Sequence, residues 1–347
     1  MRNLFIFLCL IFSQVVSASD LPYNTNGWVD DPQARREYQQ SAEHQLLRSK
    51  FVKVASLYKD EEGSALLYRA LYQLKKELGQ LSDLEKQTGR LDAENQGSLG
   101  SCVGFGSGSA IDQRGAVMAY SRSVWSQNNR WVGLVAKGHI YALSRIGHGG
   151  FGDGSTGSWM ANSIATHGIP FRSQKAGSYD FNDYNIGLIR SWTRSGSVPQ
   201  EVRDKASEYK GRAVLVEDTE EARVALQRGF PIYICSQSSF RTTRDSQGVS
   251  PRTGRAWAHC MNVCAYIDEL DAFVILNSWG PDRAYGGWIG GPVGFLEDLP
   301  QGAFICSRRD MEYILKQGDS YCIAELDTLV NLINWKDVIT DFKGAKK

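Results

Sequence analysis

The chain has 347 residues, of which 42% are hydrophobic, 22% charged and 11% aromatic, an ordinary globular composition. Lys and Arg number 39 against 38 Asp and Glu, a formal charge of +1, which argues against bulk electrostatic binding of nucleic acid or an anionic membrane. Seven cysteines are too few for a disulfide-dense scaffold, so each needs its own explanation.

Residues 1–18 read as a secretory signal. Arg2 supplies the positive start, Leu4–Phe12 is an apolar run, and Val16, Ser17 and Ala18 are the small residues a signal peptidase reads. The run is well short of the roughly 20 residues a membrane span needs. Cleavage after Ala18 removes Cys9, leaves no membrane segment, and delivers an exported chain to an extracellular, periplasmic or lysosome-like compartment that permits disulfides.

Residues 19–94 form a charged helical segment, with 24 charged residues in 76 and no cysteine. Asp31 followed by Pro32 is a cap with proline at the first helical position. Ser64 is expected to cap a second helix, with Leu66, Leu67, Leu71 and Leu74 as its apolar stripe and Gly79 as its end. Ser82-Asp83-Leu84-Glu85 is a capping box.

From Asn95 glycine-rich turns alternate with short runs. Helices are expected around Gly138–Arg145, Ser158–His167 and Glu220–Arg228. Strands are expected at Ala213–Val216, Pro231–Cys235 and Ala272–Leu276, with another beginning at Trp288-Ile289. Helices first and strands later give an α+β protein. The expected division is 95–205 as a helical domain and 206–347 as a β-rich domain with a C-terminal extension.

The chemistry concentrates in Asn95-Gln96-Gly97-Ser98-Leu99-Gly100-Ser101-Cys102. A cysteine at a helix start gains thiolate character from unpaired N–H groups and the helix dipole. It also needs a base and an oxyanion donor. The Gln96 amide and the Cys102 N–H are candidate donors. Of the five histidines, His259 opens a strand-like run in Ala258-His259-Cys260. Eighteen residues on comes Asn277-Ser278-Trp279-Gly280, after the Ala272–Leu276 run. Adjacent strands set His259 beside Asn277, which orients the imidazole toward Cys102, while Trp279 shields their hydrogen bond.

This set, N-Q-G-S-x-G-S-C, then A-H, then N-S-W-G, resembles the papain family of cysteine peptidases over about 200 residues, Asn95 to Gly294. The resemblance implies a two-domain fold, with a cleft between a helical left domain and a β-barrel-like right domain. It implies a secreted endopeptidase that cleaves peptide bonds through a thioester. Cys102 would be the nucleophile, held as a thiolate beside the His259 imidazolium, with Asn277 orienting His259 and Gln96 binding the oxyanion. Gly157, in Gly154-Ser155-Thr156-Gly157, and Trp279 are the substrate-binding candidates. Partners are protein or peptide substrates, with no cofactor and no metal. Residues 19–94 occupy the place of an inhibitory propeptide, although the family's spaced helix signature is not found in them, and both a shorter or divergent propeptide and a permanent accessory region stay open. The chain departs from the family at Leu99, which replaces a cysteine, at Val103, which replaces a tryptophan, and at Pro281–Arg283, where a second tryptophan is missing. Gly104, Gly106 and Gly108 weaken the helix behind Cys102 unless they serve close packing.

Read alone, Cys102 would be a buried apolar residue like most cysteines. His139, His148 and His167 read as structural or surface residues. His259, Cys260 and Cys264 lack the second ligand pair of a metal site. Cys306 and Cys322 are a candidate bridge on compartment grounds alone. Gly100-Ser101-Cys102-Val103-Gly104 also fits an α/β-hydrolase elbow, which demands a strand directly before Cys102 and an acidic partner for His259. A cell-wall amidase of the Cys-His type and a non-catalytic peptide binder compete with the peptidase as well.

Overall fold

The computed structural model describes residues 27–58, 62–121, 132–150, 152–241, 243–254, 257–280 and 298–326. The expected signal at residues 1–18, the expected strand at Trp288-Ile289, the Pro281–Arg283 departure and the chain beyond residue 326 lie outside the described residues.

The N-terminal segment is helical for the reasons its caps suggest. Helix α1 (Pro32–Gln40) starts at Pro32, and Asp31 Oδ1 accepts from Ala34 N–H at 3.0 Å. Helix α2 (Ala42–Tyr58) follows at once. Ser64 does not cap the next helix. Residues Ala65–Leu66 form a short strand, β1, before helix α3 (Leu67–Glu77), and the Ser64 hydroxyl instead bonds Glu269 and Asp268. The Leu67, Leu71 and Leu74 stripe is buried as its spacing requires, and Gly79 at φ +69 ends the helix. Helix α4 (Asp83–Thr88) carries the complete Ser82–Glu85 capping box.

Helix α5 (Cys102–Ser121) packs against α3. Helices α6 (Lys137–Leu143), α7 (Gly157–Thr166), α8 (Ile186–Ser195) and α9 (Gln200–Ala206) follow, with a small hairpin of β2 (Lys175–Ala176) and β3 (Tyr179–Asp180) between α7 and α8. α6, α8 and α9 share one apolar cluster that includes Leu99, Tyr141, Ile189 and Val202.

The larger sheet contains β4 (Gly211–Leu215), β5 (Ile232–Ser236), β6 (His259–Ile267), β7 (Ala272–Leu276), β8 (Ala303–Ser307) and β9 (Ser320–Leu326). Helices α10 (Thr219–Gln227) and α11 (Arg308–Leu315) connect its strands. Its order is β4-β9-β5-β6-β7-β8, antiparallel throughout, and β1 pairs with β6 beyond the end of β5. Every residue of β6 is buried. α5 and α3 lie against it on one side, and α10 packs on it from the other. A register shift between Val263 and Ala265 marks where β6 passes from β5 to β1.

The class is α+β, but the sheet is not the barrel that was expected. Among the described residues its two edge strands, β4 and β8, do not pair. Both edges are covered instead, which removes the drive to close. On β4 the Ala213 carbonyl accepts from Tyr38 Oη at 2.7 Å, and Leu215 N–H donates to His44 Nε2 at 3.2 Å. The Leu215 carbonyl accepts from Arg48 at 3.2 Å. These three side chains come from α1 and α2. On β8, Ser250 N–H donates to the Ile305 carbonyl at 2.8 Å.

The same topology rules out the Cys306–Cys322 bridge. Three strands separate β8 from β9, which at about 4.8 Å per step is far beyond the roughly 7 Å limit between Cα atoms for a disulfide.

Candidate active site

A short backbone ladder brings the two distant motifs together. Asn95 and Trp279 form an antiparallel bridge, Gln96 N–H donates to the Ser278 carbonyl at 2.9 Å, and Gly280 N–H donates to the Glu94 carbonyl at 2.7 Å. The Ser278 hydroxyl donates to Gln96 Oε1 at 2.7 Å, which turns the amide nitrogen the other way, toward the Leu99 carbonyl at 3.1 Å. Tyr184 Oη donates to the Gln96 carbonyl at 2.8 Å.

Cys102 is the first residue of α5 and is fully buried. Gly106, one turn on, lets the helix rest on β6: a Cβ there would stand 3.1 Å from Cys260 Sγ and from the Met261 backbone. Gly104 and Gly108 do the same toward α6, where an added Cβ would meet the Lys137 carbonyl at 2.5 Å and the Lys137 side chain at 2.8 Å. The glycines behind Cys102 therefore serve close packing on two sides. As a result Cys102 Sγ accepts from Cys260 N–H at 3.3 Å, beside His259 in the chain.

His259 opens β6, and Asn277 follows β7 on the neighbouring strand. His259 Nε2 lies 2.8 Å from Asn277 Oδ1. That oxygen also accepts from Ser278 N–H at 2.7 Å, which identifies it as the amide oxygen. Nε2 must therefore carry the proton, and neutral His259 keeps its lone pair on Nδ1. Nδ1 is buried with no hydrogen-bond partner among the described residues. Trp279 stacks on the imidazole at 4.6 Å, and Trp257 meets Trp279 edge-on at 4.7 Å.

Burial dominates the electrostatics. It pushes the His259 imidazole down to about 4, against the opposing pull of Asn277. It pushes the Cys102 thiol well up, and neighbouring Cys260 adds to this, while the N–H groups of Cys260, Val103 and Cys102 pull it back. In this closed arrangement burial favours the neutral form of both groups.

The closure has a visible cause. Residues Gly27–Val29 run between the two walls of the cleft. Trp28 N–H donates to the Ala258 carbonyl at 2.8 Å on one wall. On the other, Ser155 N–H donates to the Gly27 carbonyl at 3.0 Å, and Val29 N–H donates to the Ser155 carbonyl at 2.8 Å. A Cβ on Gly27 would stand 2.6 Å from Cys102 Sγ. The Trp28 indole N–H donates to buried Asp319 at 2.7 Å. Gly154, at φ +125, gives this strap room, since a side chain there would meet Val29 at 2.8 Å.

The structure thus brings Gln96, Cys102, His259, Asn277 and Trp279 together. It does not leave Gly157 facing the cleft. Gly157 N–H donates to Asp319 at 2.8 Å, and its carbonyl accepts from Tyr233 Oη at 3.1 Å, so its backbone serves the start of α7. Ser155 is the residue whose backbone meets an extended chain, and the sequence alone did not single it out. Its only sequence signal was a glycine, Gly154, immediately before it. Trp279 lies beneath His259 and is buried, so it covers the His259–Asn277 bond rather than forming an open subsite. The hydrolase elbow fails on both its demands: a turn, not a strand, precedes Cys102, and the partner of His259 is an amide.

No family model and no curated protein matches the chain. Among solved structures it is similar to xylellain, a cysteine protease from Xylella fastidiosa, at 16% identity and TM-score 0.49, over 86% of this chain and 96% of that one. It is also similar to procathepsin B S9 from Trypanosoma congolense, at 11% identity and TM-score 0.42, over 88% and 84% of the two chains. A third is procathepsin L2 from Tenebrio molitor larval midgut, at 15% identity and TM-score 0.40, over 72% of each chain. At these scores the functional reading must rest on the site's own geometry.

Proposed function

We propose that this chain is an exported papain-like cysteine endopeptidase, held in a latent form by its own N-terminal strap. The observation that carries the reading is the Nε2–Asn277 bond, which leaves the Nδ1 lone pair of His259 available as a base, one residue before the Cys260 N–H on which the sulfur of a cysteine at a helix start rests. With the strap withdrawn and the cleft wet, Nδ1 takes the Cys102 proton. The thiolate attacks a peptide carbonyl, and the oxyanion forms against the Cys102 N–H and the Gln96 amide. The His259 imidazolium protonates the leaving amine. Water, activated by the same nitrogen, then hydrolyses the thioester. Substrates are extended peptides that pair with the backbone of Ser155, as Gly27–Val29 does here.

Autoinhibition is assigned to residues 27–29 rather than to the whole of 19–94. The rest of that segment supplies Leu47, Phe51, Leu67 and Tyr68 to the core and covers the β4 edge, as a permanent part would. Export agrees with the N-terminal signal, and no helix among the described residues is long and apolar enough to cross a membrane.

The test is alkylation by a cysteine-directed epoxide, with the adduct mapped by mass spectrometry. The full chain should label slowly at Cys102, and a chain starting at Asp30 should label quickly and cleave an unfolded protein. His259→Ala in the shorter chain should slow both by about 10²–10⁴-fold. Equal, free-thiol-like labelling of all three proteins would sink the catalytic reading.

A further inference from the structure

Behind Cys102 the sheet sets two further thiols against each other. Cys235 on β5 and Cys260 on β6 are direct partners in antiparallel register, so their side chains project from the same face. Both are fully buried, and their sulfurs stand 2.7 Å apart. That is closer than the roughly 3.5–4.0 Å at which unbonded heavy atoms rest. A shared metal does not explain the approach, since no three His, Cys, Asp or Glu side chains converge to hold one among the described residues. Burial pushes the Cys235 thiol well up, with the hydrogen bond to Cys260 adding to the effect. Burial makes the Cys235 thiol a poor nucleophile, whereas a disulfide there has no proton or charge to accommodate.

We propose that in the exported protein Cys235 and Cys260 are joined by a disulfide that ties β5 to β6 immediately behind the nucleophile. Antiparallel partners lie about 4.5–5.5 Å apart at Cα, inside the span a disulfide takes. The two S–H bonds break and one S–S bond forms. Two protons and two electrons pass to an oxidising disulfide, of a small molecule or of an oxidoreductase, which leaves as two thiols. The bond fixes the Cys260 N–H on which Cys102 Sγ rests, and the start of the strand that carries His259. It also removes the Cys260 thiol as a partner that could capture Cys102 under oxidation. Among the described residues no other two cysteine sulfurs are hydrogen-bonded to each other: Cys264 Sγ, for instance, donates to the Val274 carbonyl at 3.6 Å. The proposal stands on sheet register and does not depend on the peptidase reading.

The full chain, recovered from an oxidising compartment, should be unfolded in denaturant with iodoacetamide and no reductant, then digested. The expected result is a linked pair of peptides bearing Cys235 and Cys260, lighter by two hydrogens than the separate peptides, with Cys102, Cys264, Cys306 and Cys322 alkylated. After reduction and reoxidation in a glutathione buffer, the same pair should return alone. In Cys235→Ser, Cys260 should become an alkylated thiol. Alkylation of both Cys235 and Cys260 in the untreated chain, or a Cys102–Cys260 link as the main product of reoxidation, would overturn the proposal.

Discussion

In the proposed mechanism the strap, the nucleophile and the base are each governed by one or two atoms. Gly27 is the clearest case. A methyl group at this position would sit 2.6 Å from Cys102 Sγ and 2.9 Å from the Gly100 backbone, so it cannot enter without displacing the strap. Gly27→Ala in the full chain should therefore raise the alkylation rate of Cys102 severalfold while leaving the fold intact by circular dichroism. An unchanged rate would mean that the strap does not control access. Asn277 acts on the base from the other side. Asn277→Ala removes the acceptor that holds the proton on Nε2, and the active, shortened chain should lose about 10–10²-fold in peptide hydrolysis. The pH profile should change shape as well, since the imidazole tautomer is no longer set. The thiol itself predicts a further profile: held well up by burial, Cys102 in the full chain should gain reactivity only as the solution becomes strongly alkaline.

At the scale of elements, α5 and β6 decide the site. Gly106 is where the helix touches the strand, with Cys260 Sγ and the Met261 backbone 3.1–3.2 Å from an added Cβ. Gly106→Ala gains about 1 kcal/mol of helix propensity but forces α5 off the sheet, at a cost of about 1–3 kcal/mol. We expect a net loss of stability in chemical denaturation, and slower Cys102 chemistry because Sγ moves away from Cys260 N–H. Elements with strong local signals were legible in the sequence. The Ala272–Leu276 run is β7 without change, and the capping box at Ser82 starts α4 where it stands. Ser64 misled because its helix is preceded by a strand whose partner, β6, lies about 200 residues away; no local pattern encodes that pairing. The same holds for the open sheet. Its closure depends on whether side chains such as Tyr38 and His44 reach β4, and neither residue carries a sequence signal for doing so. Gln96, Cys102, His259 and Asn277 could be picked out as candidates because the chemistry proposed for them demands fixed residue types. Gly157 was not, because a backbone group can be used by any neighbour, and here Asp319 takes it.

For the whole molecule, stability follows proton binding. Burial holds His259 and His139 down to about 4, whereas an unfolded imidazole takes its proton near 6.5. Between those values the unfolded state binds more protons, so stability falls as pH drops from about 6.5 toward 4, by up to about 1.4 kcal/mol per unit for each group. Asp112, raised to about 6 by burial, works in the opposite sense below that pH and offsets part of the loss. Thermal unfolding should therefore give its highest Tm above pH 7 and a falling Tm on acidification. A Tm that stays flat from pH 7 to 4.5 would refute the buried neutral imidazoles. Truncation divides the N-terminal segment in the same way. Removing residues before Asp30 should leave a soluble, cooperative protein. Removing everything before Asn95 strips α1, α2, β1 and α3 from the core and bares the β4 edge, and the product should aggregate.

Trp28 gives this latch an optical signature. Its ring is buried and its indole N–H is bound to a carboxylate that also holds the first turn of α7. Release of the strap transfers that ring to water, so tryptophan emission should shift to the red as the thiol becomes reactive. The two signals should share one rate constant, and the fluorescence trace of a single sample would then time the unmasking of Cys102 without any substrate.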